Sequence, residues 1–311
     1  MSSSISSPDV VEVKNLVKKF GDIVALGGVD LNVKKGIIHA LVGPDGAGKT
    51  TLLRILAGIM TPASGEINIV GCDVVGNPES IKGKIGYLSQ RFSLNPVLTV
   101  RENIEFFASL YKVPRTERGP RAEKLLAFSR LAGFKDRQAI HLSGGMKQKL
   151  SLCCALIHTP RLLLLDEPTT GVDPISRREL WEILYDLLGD GVTVLISTPY
   201  MDEAERAGMI TLLHKGRSIF TGEMQSLRSR YKYSLYELIS ENNHHAFDIA
   251  SGRLGKDRVM LFGDRLHLAF EKSEIPSSLK NYLEDSGVRI TSFQAINPGL
   301  EDLFIQELTG V

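Results

Sequence analysis

Apolar residues along this chain fall into short, nearly continuous runs that alternate with stretches of helical spacing. Residues 10–13 alternate apolar and polar positions, as a half-buried strand does. After a Lys34-Lys35-Gly36 turn, residues 37–42 form a mostly apolar run. Residues 50–57 follow with helical spacing, and Gly58 is placed as a C-terminal cap. Residues 64–71 and 84–90 predict further strands. Between 91 and 141 the pattern turns helical. Thr99 and Glu102 fit a capping box for a helix ending near Tyr111, and residues 122–132 predict a second helix. Strands at 162–165, 193–197 and 209–214 then alternate with helices at 174–188 and 201–207. Asp173 before Pro174 reads as an N-cap with proline at the first helical position. Such alternation predicts a mainly parallel sheet covered by helices.

The polar, basic stretch 221–230 predicts a linker. Beyond it, residues 233–239, 259–262 and 266–270 predict strands, the last two as a hairpin around Gly263-Asp264. Helices are expected at 277–285 and 300–308, with a strand at 288–293 between them. The chain therefore reads as an α/β domain over 10–220, with a helical subdomain at about 91–141, and a small α+β domain over 231–311. Residues 1–9 read as a disordered polar tail, and no internal repeat is present.

Composition narrows the partners. A length of 311 residues with 43% hydrophobic content suits one large domain with a sizeable core and a small one. The 37 basic and 36 acidic residues nearly cancel, so nucleic acid is not an expected partner. Cys72, Cys153 and Cys154 have no metal-ligand spacing, and a reducing cytoplasm suits them. The first eight residues lack the basic and apolar regions of a signal peptide, and no apolar run approaches the ~20 residues of a membrane-spanning helix. A role at a membrane would be served from the water side.

Gly43-Pro44-Asp45-Gly46-Ala47-Gly48-Lys49-Thr50 sits between a predicted strand and a predicted helix, the context a phosphate-binding loop requires. Its backbone N–H groups and the positive helix end would face an anion. Lys49 would bridge the outer phosphates, Thr50 would offer its hydroxyl to magnesium, and Thr51 completes the cradle. Asp166 closes the apolar run Leu162-Leu163-Leu164-Leu165, where a carboxylate is costly unless a cation or donors satisfy it. Sharing magnesium with Thr50 answers that cost, and Glu167 is placed to orient or deprotonate water. Ser143-Gly144-Gly145 precedes a helical run at 146–156; it reads either as a plain cap or as a second phosphate-facing helix end.

These motifs together resemble those of ATP-binding-cassette (ABC) ATPase subunits, across residues 10 to about 220. The resemblance implies a P-loop NTPase fold that binds ATP with magnesium and hydrolyses it. It implies a head-to-tail pairing with a second ATPase domain, in which one chain's glycine loop and the other's Leu142-Ser143-Gly144-Gly145 enclose each nucleotide. Phe20 matches the aromatic that stacks on adenine, although a Phe before Gly also suits a core. Gln90 matches the glutamine that contacts magnesium, so that Lys49, Gln90 and Glu167 form the catalytic set and Thr50, Gln90 and Asp166 the metal set. Asp173 matches the aspartate that communicates across the dimer. The 91–141 insert matches the part that docks on transmembrane permease subunits, which implies a peripheral place on the cytoplasmic side of the inner membrane. Thr170-Gly171-Val172-Asp173-Pro174, Tyr200-Met201-Asp202-Glu203-Ala204-Glu205 and Asn297-Pro298-Gly299-Leu300-Glu301-Asp302-Leu303-Phe304 are similar to segments of drug and antibiotic exporter ATPases. In such ATPases the C-terminal domain is an accessory.

Two positions depart from the pattern. Met146 stands where the family has glutamine, but the phosphate contacts invoked come from Ser143 and backbone N–H groups. Pro199 stands where the family has a histidine that contacts the γ-phosphate, and proline has neither imidazole nor backbone N–H. The expectation is slow hydrolysis at this chain's own site and pairing with a better-equipped ATPase, unless Thr198, Tyr200 or a water substitutes. The same residues also serve a soluble ABC ATPase unconnected with transport, or a regulatory module that binds nucleotide and scarcely hydrolyses it.

Overall fold

In a computed structural model the described residues are 9–91 and 93–309, and they form two compact units divided between Gly222 and Glu223. The tail expected at 1–9 lies outside them except for Asp9, which already opens a strand.

The first unit begins with a long hairpin, β1 (Asp9–Phe20) and β2 (Ile23–Lys34), followed by β3 (Ile38–Val42), α1 (Lys49–Leu56), β4 (Ser64–Ile69), β5 (Cys72–Asp73) and β6 (Ile85–Leu88). A helical segment follows, comprising α2 (Val100–Leu110), α3 (Arg115–Phe128) and α4 (Gly144–Leu156). The chain then runs through β7 (Leu162–Asp166), α5 (Pro174–Gly189), β8 (Thr193–Thr198), α6 (Met201–Ala204), β9 (Met209–His214) and β10 (Arg217–Gly222). Six strands lie in the order β10-β9-β3-β8-β7-β6, parallel except for the β9–β10 hairpin. Every residue of β3, β7 and β8 is buried, as expected for parallel strands covered on both faces. A second, antiparallel sheet in the order β2-β1-β4-β5 packs with α1 over these strands, sharing a core that includes Leu16, Leu31, Leu53, Leu164 and Leu195. The helices α2, α3 and α4 hold a separate core built on Ile104, Leu126, Leu150 and Ile157.

The local signals act as read. Thr99 and Glu102 form the reciprocal capping box of α2. The Asp173 side chain accepts from the Ser176 N–H at 2.9 Å to cap α5. Elsewhere the structure corrects the sequence reading. Strand β2 is not announced by its pattern, because Gly27-Gly28 interrupts it and the β1–β2 register shifts repeatedly. Helix α3 starts at Arg115, well before residue 122, since its internal Pro120 masks the helical signal. Residues 221–230 are not a bare linker: residues 221–222 complete β10 and Met224–Arg228 is a helix with Leu227 fully buried. The β9–β10 turn is Lys215-Gly216, both with positive φ, a primed hairpin turn in which lysine is an uncommon occupant.

The second unit comprises α7 (Met224–Arg228), β11 (Ser234–Ser240), α8 (Asn243–Leu254), β12 (Val259–Phe262), β13 (Arg265–Phe270), α9 (Pro276–Asp285), β14 (Ile290–Ile296) and α10 (Leu300–Thr309). Its antiparallel sheet has the order β12-β13-β11-β14, and the Gly263-Asp264 hairpin joins β12 to β13. Helix α8 was hidden in a polar stretch; Asn242 caps it by accepting from the His245 N–H at 3.0 Å. The buried Asp302 accepts from the Gly299 N–H at 2.9 Å and meets His267 Nδ1 at 2.7 Å, which ties the start of α10 to β13.

His39, in the middle of β3, is fully buried with Nε2 2.8 Å from the Thr211 hydroxyl, and burial lowers its pKa from 6.5 to about 4. The unfolded chain takes up a proton below pH 6.5 that the folded chain refuses until about pH 4. Stability is therefore fully present above pH 6.5 and falls as pH drops toward 4, by up to ~3 kcal/mol. Denaturant unfolding at a series of pH values is expected to show this slope, and His39→Gln to flatten it.

Candidate functional site

Strand β3 delivers the glycine loop to the C-terminal edge of the parallel sheet. A Cβ at Gly43 would overlap the Leu213 carbonyl oxygen, so only glycine lets the loop leave β3 beside β9. Gly48 holds φ +105 at the N-cap of α1, where a side chain would lie 2.7 Å from the Ala25 carbonyl oxygen. The loop therefore turns its amides into a cleft of about 370 Å³. Asp45, Gly46, Ala47, Gly48, Lys49, Thr50, Thr51, Gln90 and Glu167 line it, with Ile23, Val24 and Ala25 from the β1–β2 hairpin. A larger depression on the antiparallel sheet, about 540 Å³ and lined by Glu12, Lys14 and Glu66, is remote from these residues in the chain's motifs and brings no phosphate-loop residue together.

Inside the cleft the polar side chains form one network. Lys49 is 4% exposed; its ammonium donates to the carbonyls of Gly43 at 2.7 Å and Pro44 at 3.2 Å and lies 3.3 Å from Glu167 Oε1. The Gln90 amide donates to Glu167 Oε2 at 2.8 Å. Glu167 itself has φ +49, an uncommon conformation for a non-glycine residue, and its N–H is held by the Ser197 carbonyl and hydroxyl oxygens. Asp166 has no exposed surface; its Oδ1 accepts from Thr50 at 3.0 Å and Ser197 at 2.9 Å, while Oδ2 is buried without a partner. Burial raises the Asp166 pKa, and the hydroxyls of Ser197 and Thr50 oppose that rise.

An orphaned buried carboxylate oxygen beside a threonine hydroxyl fits a divalent cation. Among the described residues no cluster of three His, Cys, Asp or Glu could hold a metal alone. A cation here would therefore take part of its coordination from phosphate oxygens.

Ser143, Gly144 and Asp173 are exposed, and none of them lines the cleft. Ser143 caps α4 through the Met146 N–H at 3.3 Å. A Cβ at Gly145 would overlap Ser176, so the start of α4 packs closely on the first turn of α5, which Asp173 caps. Phe20 does not line the cleft either; it is 47% exposed, with the Lys18 ammonium 5.1 Å from its ring, while its hairpin partner Ile23 does line it. Sequence reasoning missed Ile23, Val24, Ala25 and Ser197. The first three belong to the unannounced strand β2, and Ser197 carries no signal beyond ending a buried run.

Residues 26–170 match the family model described as ABC transporter, and residues 222–308 that of the ATP-binding protein DrrA1-3-like C-terminal domain. The chain is 34% identical over 304 residues to the daunorubicin resistance ATP-binding protein DrrA3 of Streptomyces coeruleorubidus, covering 96% of each. It is 37% identical over 305 residues to the "Probable multidrug ABC transporter ATP-binding protein YbhF" of Escherichia coli K12, covering 97% of this chain and 52% of that one. The chain thus spans about half the length of that relative. Among solved structures, an ATP-binding subunit of an ABC transporter superposes with TM-score 0.66 at 31% identity, over 71% of this chain and 93% of that one. The ATP-binding cassette MJ0796, in a dimeric post-hydrolysis state bound to ADP and phosphate, superposes with TM-score 0.63 at 31% identity, over 69% and 98%. The chain belongs to the ATP-binding proteins of ABC transporters, in the branch with a DrrA-like C-terminal domain.

Replacing Gly43 by Ala forces its methyl group into the Leu213 carbonyl and is expected to cost about 3 kcal/mol. Thermal unfolding of the intact chain checks this, with Gly83→Ala, which meets nothing within 4 Å, as the neutral comparison.

Proposed function

We propose that this chain binds ATP with magnesium in the β3–α1 cleft and hydrolyses it as one of two paired cassettes that power efflux through separate membrane-spanning subunits. The observation that carries this reading is the convergence of Lys49, Thr50, Gln90, Asp166 and Glu167 while Ser143, Gly144 and Asp173 stay exposed outside the cleft. A nucleotide there is enclosed on one side only, and a second cassette's Ser143–Gly145 segment would supply the other.

Magnesium, held by Thr50, Asp166 and Gln90, would neutralise phosphate charge. Lys49 and Gln90 each engage one oxygen of Glu167. A phosphate in the loop would compete for the Lys49 ammonium and leave the Glu167 carboxylate to orient water. The described residues contain no helix long and apolar enough to cross a membrane, which suits a peripheral subunit at the cytoplasmic face. The matches to DrrA3 and YbhF support a drug or antibiotic as cargo.

Pro199 supports slow turnover at this site. The Thr198 hydroxyl donates to Glu203 at 2.9 Å and accepts from the Tyr200 N–H at 3.0 Å, so the Thr198 hydroxyl and the Tyr200 N–H are already used. A lost contact to the γ-phosphate costs about 3 kcal/mol of transition-state stabilisation. The pairing that best tolerates this joins the chain to a different ATPase bearing the histidine.

Affinity capture from native membranes, with the ATPase polypeptides identified and counted, tests the assembly. Membrane subunits with a second, histidine-bearing ATPase are expected; two copies of this chain would remove the asymmetric pairing, and ribosomes in place of membrane subunits would remove transport. In turnover assays of the recovered complex, Glu167→Gln is expected to retain ATP and lower the rate of its site about a hundredfold. Pro199→His is expected to raise it about a hundredfold, and an unchanged rate would overturn the slow-site reading.

A further inference from the structure

Glu203 lies on α6, outside the cleft, yet only 1% of its surface is exposed. Its Oε2 accepts from the hydroxyls of Thr169 at 2.8 Å and Thr198 at 2.9 Å. Arg177 Nε faces Oε1 at 3.2 Å, within ion-pair range but off line for a hydrogen bond. The same guanidinium lies 4.4 Å from the centre of the Tyr200 ring. Burial pushes the carboxyl pKa up, and the two threonine hydroxyls and then Arg177 counter it. A carboxylate this dry is costly, so the three groups against it are held as a set.

The three attachments reach three different segments. Thr169 is two residues beyond Glu167, in a turn closed by Thr170 N–H to the Glu167 carbonyl at 3.2 Å and Val172 N–H to the Thr169 carbonyl at 3.1 Å. Thr198 immediately precedes Pro199, and Arg177 lies one turn into the helix that Asp173 caps. We propose that Glu203 is a positioning residue that fastens the Pro199 segment and the Asp173 helix to the turn carrying Glu167. The proposal rests on the hydrolytic reading above and deepens it. Ser197 already joins the end of β8 to the Glu167 N–H; because Pro199 offers no N–H and the Thr198 hydroxyl donates to Glu203, this clamp adds a second, side-chain link from the end of β8 to the Glu167 turn. It replaces a contact through substrate with a contact through protein. Movement of Asp173 against a second cassette would reach Glu167 by way of Arg177, Glu203 and Thr169.

The test uses the intact chain in its captured complex, comparing wild type with Glu203→Gln and the gentler, isosteric Thr198→Val. Glutamine keeps one oxygen for the two threonine hydroxyls but sets an N–H donor against the Arg177 guanidinium and removes the charge that faces it. Glu203→Gln is expected to lower kcat about tenfold with KM for ATP within about twofold, and Thr198→Val to lower kcat about threefold. Hydrogen–deuterium exchange of the ATP-free chain is expected to rise both at residues 167–173 and at 198–204 in Glu203→Gln. Exchange that rises only at 198–204, or an unchanged kcat beside an active wild type, would overturn the clamp while leaving hydrolysis standing. A wild type that binds ATP and never turns it over would instead overturn the hydrolytic reading, and the proposal with it.

Discussion

Asp166 is a carboxylate with no exposed surface, at the end of a strand whose five residues are all buried. Water cannot reach it, so its satisfaction must come from the protein or from something the protein binds. Thr50 from α1 and Ser197 from β8 each donate to Oδ1, and Oδ2 is left without a partner. These bonds join the glycine loop, the base-carrying turn and the neighbouring strand at one point. The parallel register makes this possible, because β3, β7 and β8 run together and Asp166 stands opposite Ser197. The electrostatic demand of that one buried oxygen is what a cation beside Thr50 would answer.

Ser143 and Asp173, which stand outside the cleft, are held by a packed pair of helices. Helices α4 and α5 meet where Gly145 admits Ser176, and further along Lys149, only 8% exposed at its side chain, pairs with Glu179, which also accepts from Arg130 of the helical segment at 2.7 Å. Lys149 is buried while Glu179 is partly exposed, so removing Glu179 would leave a buried ammonium without its partner. Ser143 and Asp173, at the starts of these two helices, are therefore fixed to each other more firmly than a loop would hold them.

Pro199 leaves the end of β8 with different contacts from those a histidine would make. In place of an imidazole reaching toward phosphate, the end of β8 carries a threonine committed to Glu203 and a tyrosine committed to Arg177. Both contacts hold the segment to protein groups. Through Thr169 the Glu203 network reaches the turn that holds Glu167 at φ +49.

The sequence by itself determined the phosphate loop, the buried acidic strand, the capping of α2 and α5 and the parallel character of the main sheet, because each follows from short-range spacing. It did not announce β2, β10 or α8, where a Gly27-Gly28 bulge, a Lys215-Gly216 turn and a polar helix face outweigh periodicity. Nor did it show that Ile23, Val24 and Ala25 line the cleft, that Phe20 stands outside it, or that Thr198 is already spent on Glu203. Those outcomes depend on which distant segments meet at the C-terminal edge of the sheet. Hydrogen-bond saturation and burial belong to neighbours in space, and only the tertiary structure chooses those neighbours.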